Sequence, residues 1–453
     1  MNSNTNINFH CNLIGSHFFC RLCTVVSSLF FLSSCSVSKK IAKEANDILL
    51  QDSVINTGHT GISIYEPATG KYWYEHDATK FFLPASNVKL FSLYAGMKYL
   101  GDSLIGLRYR QKENELIIYP TGDPSFLHPD FKQQPVFDFL KTKNNISYHS
   151  ANYTDGLGFG WAWDDYMDDY MVQRSEFPLY GNLAMVSAVN GTLSVVPKNI
   201  PLHIKNPSEK NEPNVEWSLS RKWDSNDITA TIVGNTATKN LYKVPYLPND
   251  IPGFLSDTLH QQINQVGEHA KDAVDNNRLG KIYSQPADSL FKPMIYNSDN
   301  FFAEQTLLMA SNERLGYMSD EAMIDTLLKS DLKDIPQKPR WVDGSGLSRY
   351  NLFSPKSLVY ILNKMQTQFG MQRLKVVLPT GGSGTFKNYY VKDSGFIYAK
   401  TGSLSNVIAL SGFLFTKKNK LLIFSVLVNG FQGSATKVRR SLENFLEGIR
   451  EEY

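Results

Sequence analysis

No cysteine follows residue 35 of this 453-residue chain; Cys11, Cys20, Cys23 and Cys35 are the whole complement. The body therefore cannot be a disulfide-stapled scaffold, cannot ligate a metal through thiolates and cannot use a cysteine nucleophile. It has to be held together by apolar burial. The composition allows this, with 42% hydrophobic and 12% aromatic residues, an ordinary globular balance. At about 150 residues per domain, two or three domains are expected. The net charge is only +3, which gives no reason to expect a nucleic-acid partner.

The first residues read as a targeting segment. Arg21 precedes a short apolar run, Thr24 to Leu32 ("TVVSSLFFL"), which leads into "LSSC", Leu32 to Cys35. The run is too short to cross a bilayer as a stop-transfer helix. The pattern resembles a bacterial lipoprotein signal, in which an aliphatic residue and two small ones precede the lipidated cysteine. Cys35 is then the lipidation site; the alternative is a plain secretory signal. No other run approaches the ~20 apolar residues of a membrane span. The body is expected on the periplasmic side of the cell envelope, attached to a membrane through its N-terminal lipid.

Further along, "TGISIYEPATGKYWYEH" (Thr60 to His76) reads as a hairpin around Pro-Ala-Thr-Gly. Val88, Leu90, Phe91, Leu93, Tyr94, Met97 and Leu100 fall at helical spacing, and Gly101 suits the helix end. From about 102 to 255 the chain turns to short strand-like runs ("ELIIYP", "GTLSVVP", "ATIVG") and polar loops, a β-rich insertion. Helical patterns return at "FLSDTLHQQINQVGEH", "NFFAEQTLLMAS", "DEAMIDTLLKS" and "SPKSLVYILNKM". The end reads β-β-α: "NVIALSGFLF", "KLLIFSVLVNG", then a helix with Val438, Leu442, Phe445, Leu446 and Ile449 on one face.

Three short stretches carry candidate chemistry. Ser86 and Lys89, in "PASNVKL", are three apart at a helix start, so they share a face about 5–6 Å apart at Cβ. The helix dipole favours negative charge there, and a lysine with a lowered pKa can accept the hydroxyl proton. Taken alone, Ser86 is equally an N-cap. In "YNSDNFFAE", Ser298 can relay a proton and Asn300 can hold a carbonyl; alone, this too is a helix cap. In "YAKTGSLSNV", Lys400 and Thr401 can bind a carboxylate and Gly402 allows close approach of backbone; alone, it is a turn between strands. The nine histidines form no His-x-x-x-His or His-Glu-x-x-His pattern, and no metal or cofactor is expected.

Together and in this order, Ser-x-x-Lys, Ser-Asp-Asn and Lys-Thr-Gly resemble the motif set of penicillin-binding proteins and serine β-lactamases. The chain is most similar to the D-alanyl-D-alanine carboxypeptidase/endopeptidase family, the class C low-molecular-mass penicillin-binding proteins. Ser86 and Ser298 lie 212 residues apart, a gap that fits an inserted region of this family. "TGDPSF" (Thr121 to Phe126), "GWAWDDY" (Gly160 to Tyr166), "DGSGLSRYNL" (Asp343 to Leu352) and "LPTGGSGTFKN" (Leu378 to Asn388) agree, and the resemblance covers roughly residues 50 to 450.

The resemblance implies an α/β (α+β) transpeptidase-like core, an antiparallel sheet flanked by helices and interrupted by a β-rich inserted domain. The expected division is a signal over 1–35, a tether over 36–49, core over 50–101, the insertion over 102–255 and core again over 256–453. It implies Ser86 as acylated nucleophile, Lys89 as base, Ser298 as proton shuttle and Asn300 as substrate-orienting amide. Lys400 would supply electrostatics and Thr401 would bind the terminal carboxylate, with Gly402 beside it and the Ser86 and Ser403 N–H groups as oxyanion hole. Lys89 and Lys400 would converge, and two ammonium groups so close would depress one pKa and leave a neutral amine at pH 7. The implied substrates are peptidoglycan D-Ala-D-Ala stems or cross-links, with β-lactams as covalent inhibitors. A β-lactamase-like hydrolase and a non-catalytic penicillin-binding wall protein are the other readings. Asp164 and Asp165 are read as a turn with buried tryptophans, and "DGSGLSRY" as a structural loop bordering the cleft.

Overall fold

The computed structural model describes residues 37–150, 153, 155–189, 192–205, 217–232, 240–266 and 278–453; Cys35 and the leader lie outside them. The strands in chain order are β1 (His59–Glu66), β2 (Lys71–His76), β3 (Ser103–Lys112), β4 (Glu115–Tyr119), β5 (Ile146–Tyr148), β6 (Leu183–Val189), β7 (Thr192–Val196), β8 (Leu202–Lys205), β9 (Trp217–Arg221), β10 (Ile228–Ile232), β11 (Asn240–Pro245), β12 (Ile263–Gln265), β13 (Gly280–Pro286), β14 (Ile397–Leu404), β15 (Val407–Phe415) and β16 (Leu421–Asn429). The helices are α1 (residues 37–50), α2 (Lys89–Tyr99), α3 (Pro135–Leu140), α4 (Ile251–Leu259), α5 (Ala287–Tyr296), α6 (Asn300–Leu315), α7 (Asp320–Lys329), α8 (Pro355–Val377) and α9 (Ala435–Glu452).

One antiparallel sheet, ordered β14-β15-β16-β1-β2, joins the two ends of the chain, because β1 pairs with β16. The central strand β16 is apolar on both faces. Its Leu422, Phe424, Val426 and Val428 enter one core with Val438, Leu442, Phe445, Leu446 and Ile449 of α9. Ile423 and Leu427 point the other way, into a core shared with α2, α5, α6 and α8. Period-two alternation thus feeds two cores, and the sheet is sandwiched between helical layers. Helix α2 is buried from Lys89 to Met97, since a helix apolar all round belongs between layers. Ile41, Ala45 and Leu49 of α1 join the α9 side.

A second sheet, β12-β5-β4-β3-β13, and two three-stranded sheets, β11-β6-β7 and β8-β10-β9, occupy the intervening chain. Its core includes Leu107, Ile118, Tyr148, Val186 and Phe254. The helix expected from Phe254 through His269 does not form in full. It stops at Leu259, His260 takes φ +53, and Ile263 begins a strand paired with Ile146. Ile263 is buried, so tertiary pairing outweighs the local helical pattern; residues 267–269 of that stretch lie outside the described residues.

Candidate active site

Ser86 does not lie in the α-helix proper. It lies in a 3-10 turn, Ala85–Val88, and α2 begins at Lys89. Residues i and i+3 eclipse in a 3-10 turn, which stacks the lysine on the serine. Lys89 Nζ donates to Ser86 Oγ at 3.0 Å, to Asn300 Oδ1 at 2.6 Å and to the Ser345 carbonyl at 2.8 Å. Asn300 opens α6, whose cap is the Asp299 carboxylate accepting from Phe302 N at 2.8 Å. The capping role therefore falls to Asp299, and Asn300 is left to face the lysine.

Lys400, on edge strand β14, donates to Ser298 Oγ at 2.8 Å and to the Thr401 carbonyl at 2.7 Å. Lys89 and Lys400 are fully buried, whereas Ser86, Ser298, Asn300 and Thr401 are partly exposed and Ser403 is exposed. Burial brings Lys89 down to about 8, against the carboxylates of Asp343, Asp299 and Glu304, which favour its ammonium. Lys400 is pushed well below the usual lysine range, first by burial and second by the Lys89 charge. Desolvation is the largest cause for both, and the charge of the other lysine adds to it at Lys400.

Backbone fit holds β14 against the serine turn. A Cβ on Gly402 would meet Pro84 O at 2.8 Å and Ser86 N at 3.0 Å. Asn87 Nδ2 ties the Lys400 carbonyl at 3.2 Å. Gly346 has φ +88 and a Cβ there would sit 2.0 Å from Ala85 O, so a left-handed residue without a side chain is required. The exposed hydroxyls of Thr401 and Ser403 are steadied by Thr385 Oγ1 at 2.9 Å and by the Arg439 guanidinium at 3.0 Å. This set can hold a hydroxyl, a poised amine, an orienting amide and a carboxylate site in one crevice. Among the described residues no group of His, Cys, Asp and Glu could hold a metal ion, and no helix is long and apolar enough to cross a membrane.

The model of the D-Ala-D-Ala carboxypeptidase 3 (S13) family matches residues 42–447. The chain belongs to this family. It is a serine-type D-Ala-D-Ala carboxypeptidase, a DD-peptidase of peptidoglycan. A D-alanyl-D-alanine carboxypeptidase of Actinomadura sp. (strain R39) is 22% identical over 87% of this chain and 82% of its own length. Penicillin-binding protein 4 of Haemophilus influenzae has the same fold, with TM-score 0.71, 18% identity and coverage of 91% of this chain and 99% of that one. A predatory peptidoglycan endopeptidase of Bdellovibrio bacteriovorus matches at TM-score 0.50 and 13% identity, over 86% and 92% of the two chains.

Within this S13 chain several partners of the crevice escape motif reading. Asn300 Nδ2 donates to the Tyr170 carbonyl at 2.8 Å, so the chain between β5 and β6 reaches the site through a backbone group that no side-chain motif advertises. The Asp343–Leu352 loop does more than border the cleft. Asp343 is buried and accepts from Gly346 N, Ser348 N, Asn351 Nδ2 and Trp161 Nε1, which aims the Ser345 carbonyl at Lys89. Glu304 accepts from Ser345 N at 2.7 Å, and Arg174, between β5 and β6, clamps Glu304 at 3.4 Å and also Asp320. Arg174 lies in a stretch with no motif, and Glu304, although it closes "YNSDNFFAE", carried no reading of its own there.

"TGDPSF" is anchored on α6, with Gly122 O accepting from Gln305 Nε2 at 2.6 Å. The reading of buried tryptophans around Asp164 and Asp165 is corrected: Trp163 is 79% exposed, because its short 3-10 turn lies at the surface. Trp161 is half-buried through its bond to Asp343.

Proposed function

We propose that Ser86 is the nucleophile that becomes acylated and that Lys89 is its general base. The single observation that carries this is the Lys89 amine, 3.0 Å from Ser86 Oγ and lowered to about 8. The hydroxyl attacks the penultimate D-alanine carbonyl as the proton passes to Lys89. The Ser86 and Ser403 N–H groups stabilise the oxyanion, a contribution of about 2.7–4 kcal/mol per donor. The proton held by Lys89 passes to the leaving amine through the Ser298 hydroxyl, which Lys400 orients, and the freed Lys89 amine then takes a proton from the water that releases the acyl group. Asn300 orients the substrate amide, while Thr401 with Gly402 and Ser403 receives the terminal carboxylate. Lys400 holds Ser298 and the Thr401 carbonyl in place through its Nζ donors.

Substrates are D-Ala-D-Ala stems and D-Ala-containing cross-links, and β-lactams acylate the same hydroxyl. The catalytic body comprises residues 50–101 and 256–453 around an insertion over 102–255, whose sheet borrows β12 and β13 from the returning chain. Residues 1–35 are a signal, 36–49 follow the anchor, and lipid on Cys35 holds the protein at the periplasmic side of a membrane.

The test is incubation with fluorescent penicillin followed by mass spectrometry, with muropeptides digested in parallel. A lasting adduct on Ser86 and D-alanine release, both lost in Ser86→Ala, support the reading. Rapid turnover of the drug points instead to a β-lactamase-like hydrolase, and no adduct to a non-catalytic binder. For the anchor, Cys35→Ala should move the protein from the membrane to the soluble fraction.

A further inference from the structure

A cavity of about 290 Å³ opens beside the crevice and shares Thr401, Gly402 and Ser403 with it. Its floor is apolar, built from Ile408 and Leu410 of β15 and Leu442 of α9, and Phe386 and Tyr389 wall it. At about 30 Å³ per water-sized group, it is far larger than the methyl of D-alanine requires. The cation on its lining is Arg439, one turn before Leu442 on the same face of α9. The neighbouring cations are engaged, Lys437 near Asp52 and Arg440 with Glu443. Arg439 gives one bond, to the Ser403 hydroxyl, and has no carboxylate partner among the described residues. A guanidinium carries five N–H donors and matches a carboxylate.

We propose that this cavity is a leaving-group subsite, which takes an apolar side chain ending in a carboxylate, with Arg439 as its counter-ion. The inference rests on the reading that Thr401 and Ser403 hold the α-carboxylate of the departing residue. The side chain of that residue then starts at the mouth of the cavity. The bond broken is unchanged: the acyl carbon–nitrogen bond is hydrolysed, and the cavity touches only the amine product. A departing residue of this kind belongs to a branched or cross-linked peptide rather than to a stem ending in D-alanine.

The experiment uses one acyl-D-Ala donor with D-alanine, D-norleucine, D-2-aminoadipate or D-lysine as leaving residue, and reads kcat/KM on the purified protein. We expect D-2-aminoadipate to leave about tenfold more efficiently than D-norleucine, the size of one charge-assisted bond at a half-exposed site. Arg439→Ala should bring that ratio to about one. Arg439→Glu should invert the charge preference, so that D-lysine leaves faster than D-2-aminoadipate. A wild-type ratio near one, or a ratio that neither variant changes, overturns the inference while D-alanine release continues. Failure to release any of the four residues overturns the peptidase reading itself, and the inference with it.

Discussion

Gly402→Ala is the sharpest probe of how the crevice is assembled. The added Cβ would lie 2.8 Å from Pro84 O and 3.0 Å from both Ser86 N and Asn87 Nδ2. Pro84 O and Ser86 N are backbone atoms on a turn fixed by the start of α2, so they cannot rotate away. Relief comes from β14, which pairs with β15 along one side and on the other is held only near Tyr398 and Ala399, by Thr380 and Pro379, retreating by about half an ångström. That movement stretches the 3.2 Å bond from Asn87 to the Lys400 carbonyl and, on the proposed mechanism, pulls the Ser403 N–H away from the substrate carbonyl. Loss of one such donor costs 10²–10³ in rate, and a misplacement of about 1 Å costs about 10². We therefore expect acylation by fluorescent penicillin, followed by stopped flow, to slow by about 10²-fold, or ~2.7 kcal/mol. Thermal unfolding should fall by only the ~1–3 kcal/mol typical of overpacking. An acylation rate within threefold of wild type, in a protein that melts normally, would refute the claim that this contact sets the width of the site.

Other outcomes follow from the same geometry. The base form of Lys89 is scarce below its pKa of about 8, so the acylation rate should climb with pH through a midpoint near 8; a flat profile from pH 6 to 9 would contradict this. Asp343→Asn removes a charge that favours the Lys89 ammonium, so the midpoint should move to lower pH. The same change replaces an acceptor of four donors and should slow acylation at least tenfold. Arg174→Met strips Glu304 of its cation and leaves a buried carboxylate beside Asp343, which should cost about 3–5 kcal/mol in urea unfolding. It should also raise the Glu304 pKa, already up at about 7 through burial. Phe445→Ala, in the core under α9, should destabilise by about 3–5 kcal/mol with little effect on the penicillin adduct formed per folded molecule.

The strongly periodic elements were readable from residue order: the hairpin of β1 and β2, the buried α2, and the final β15-β16-α9 with its five apolar positions. Their patterns are dictated by burial on fixed faces. The helix expected across Ile263 was not, because pairing with Ile146 is a tertiary fact. The convergence of Lys89, Asn300 and Lys400 was expected only through the family resemblance of the three motifs, since each alone reads as a helix cap or a turn. The Ser345 and Tyr170 carbonyls could not be expected, because every residue carries that group. The 3-10 turn under Ser86 was missed as well, and it depends on Ala85 at φ +46, a conformation imposed by the packing of Gly346 and Gly402.

The pairing of β1 with β16 has a consequence for when this molecule can act. The serine and its lysine are made early, yet the strand that completes their surroundings is the edge of a sheet whose middle is among the last segments to leave the ribosome. Until residues near 430 have arrived, there is no platform to bring Lys400 and Ser403 to the turn. A chain that ends before β16 is therefore expected to lack the assembled crevice.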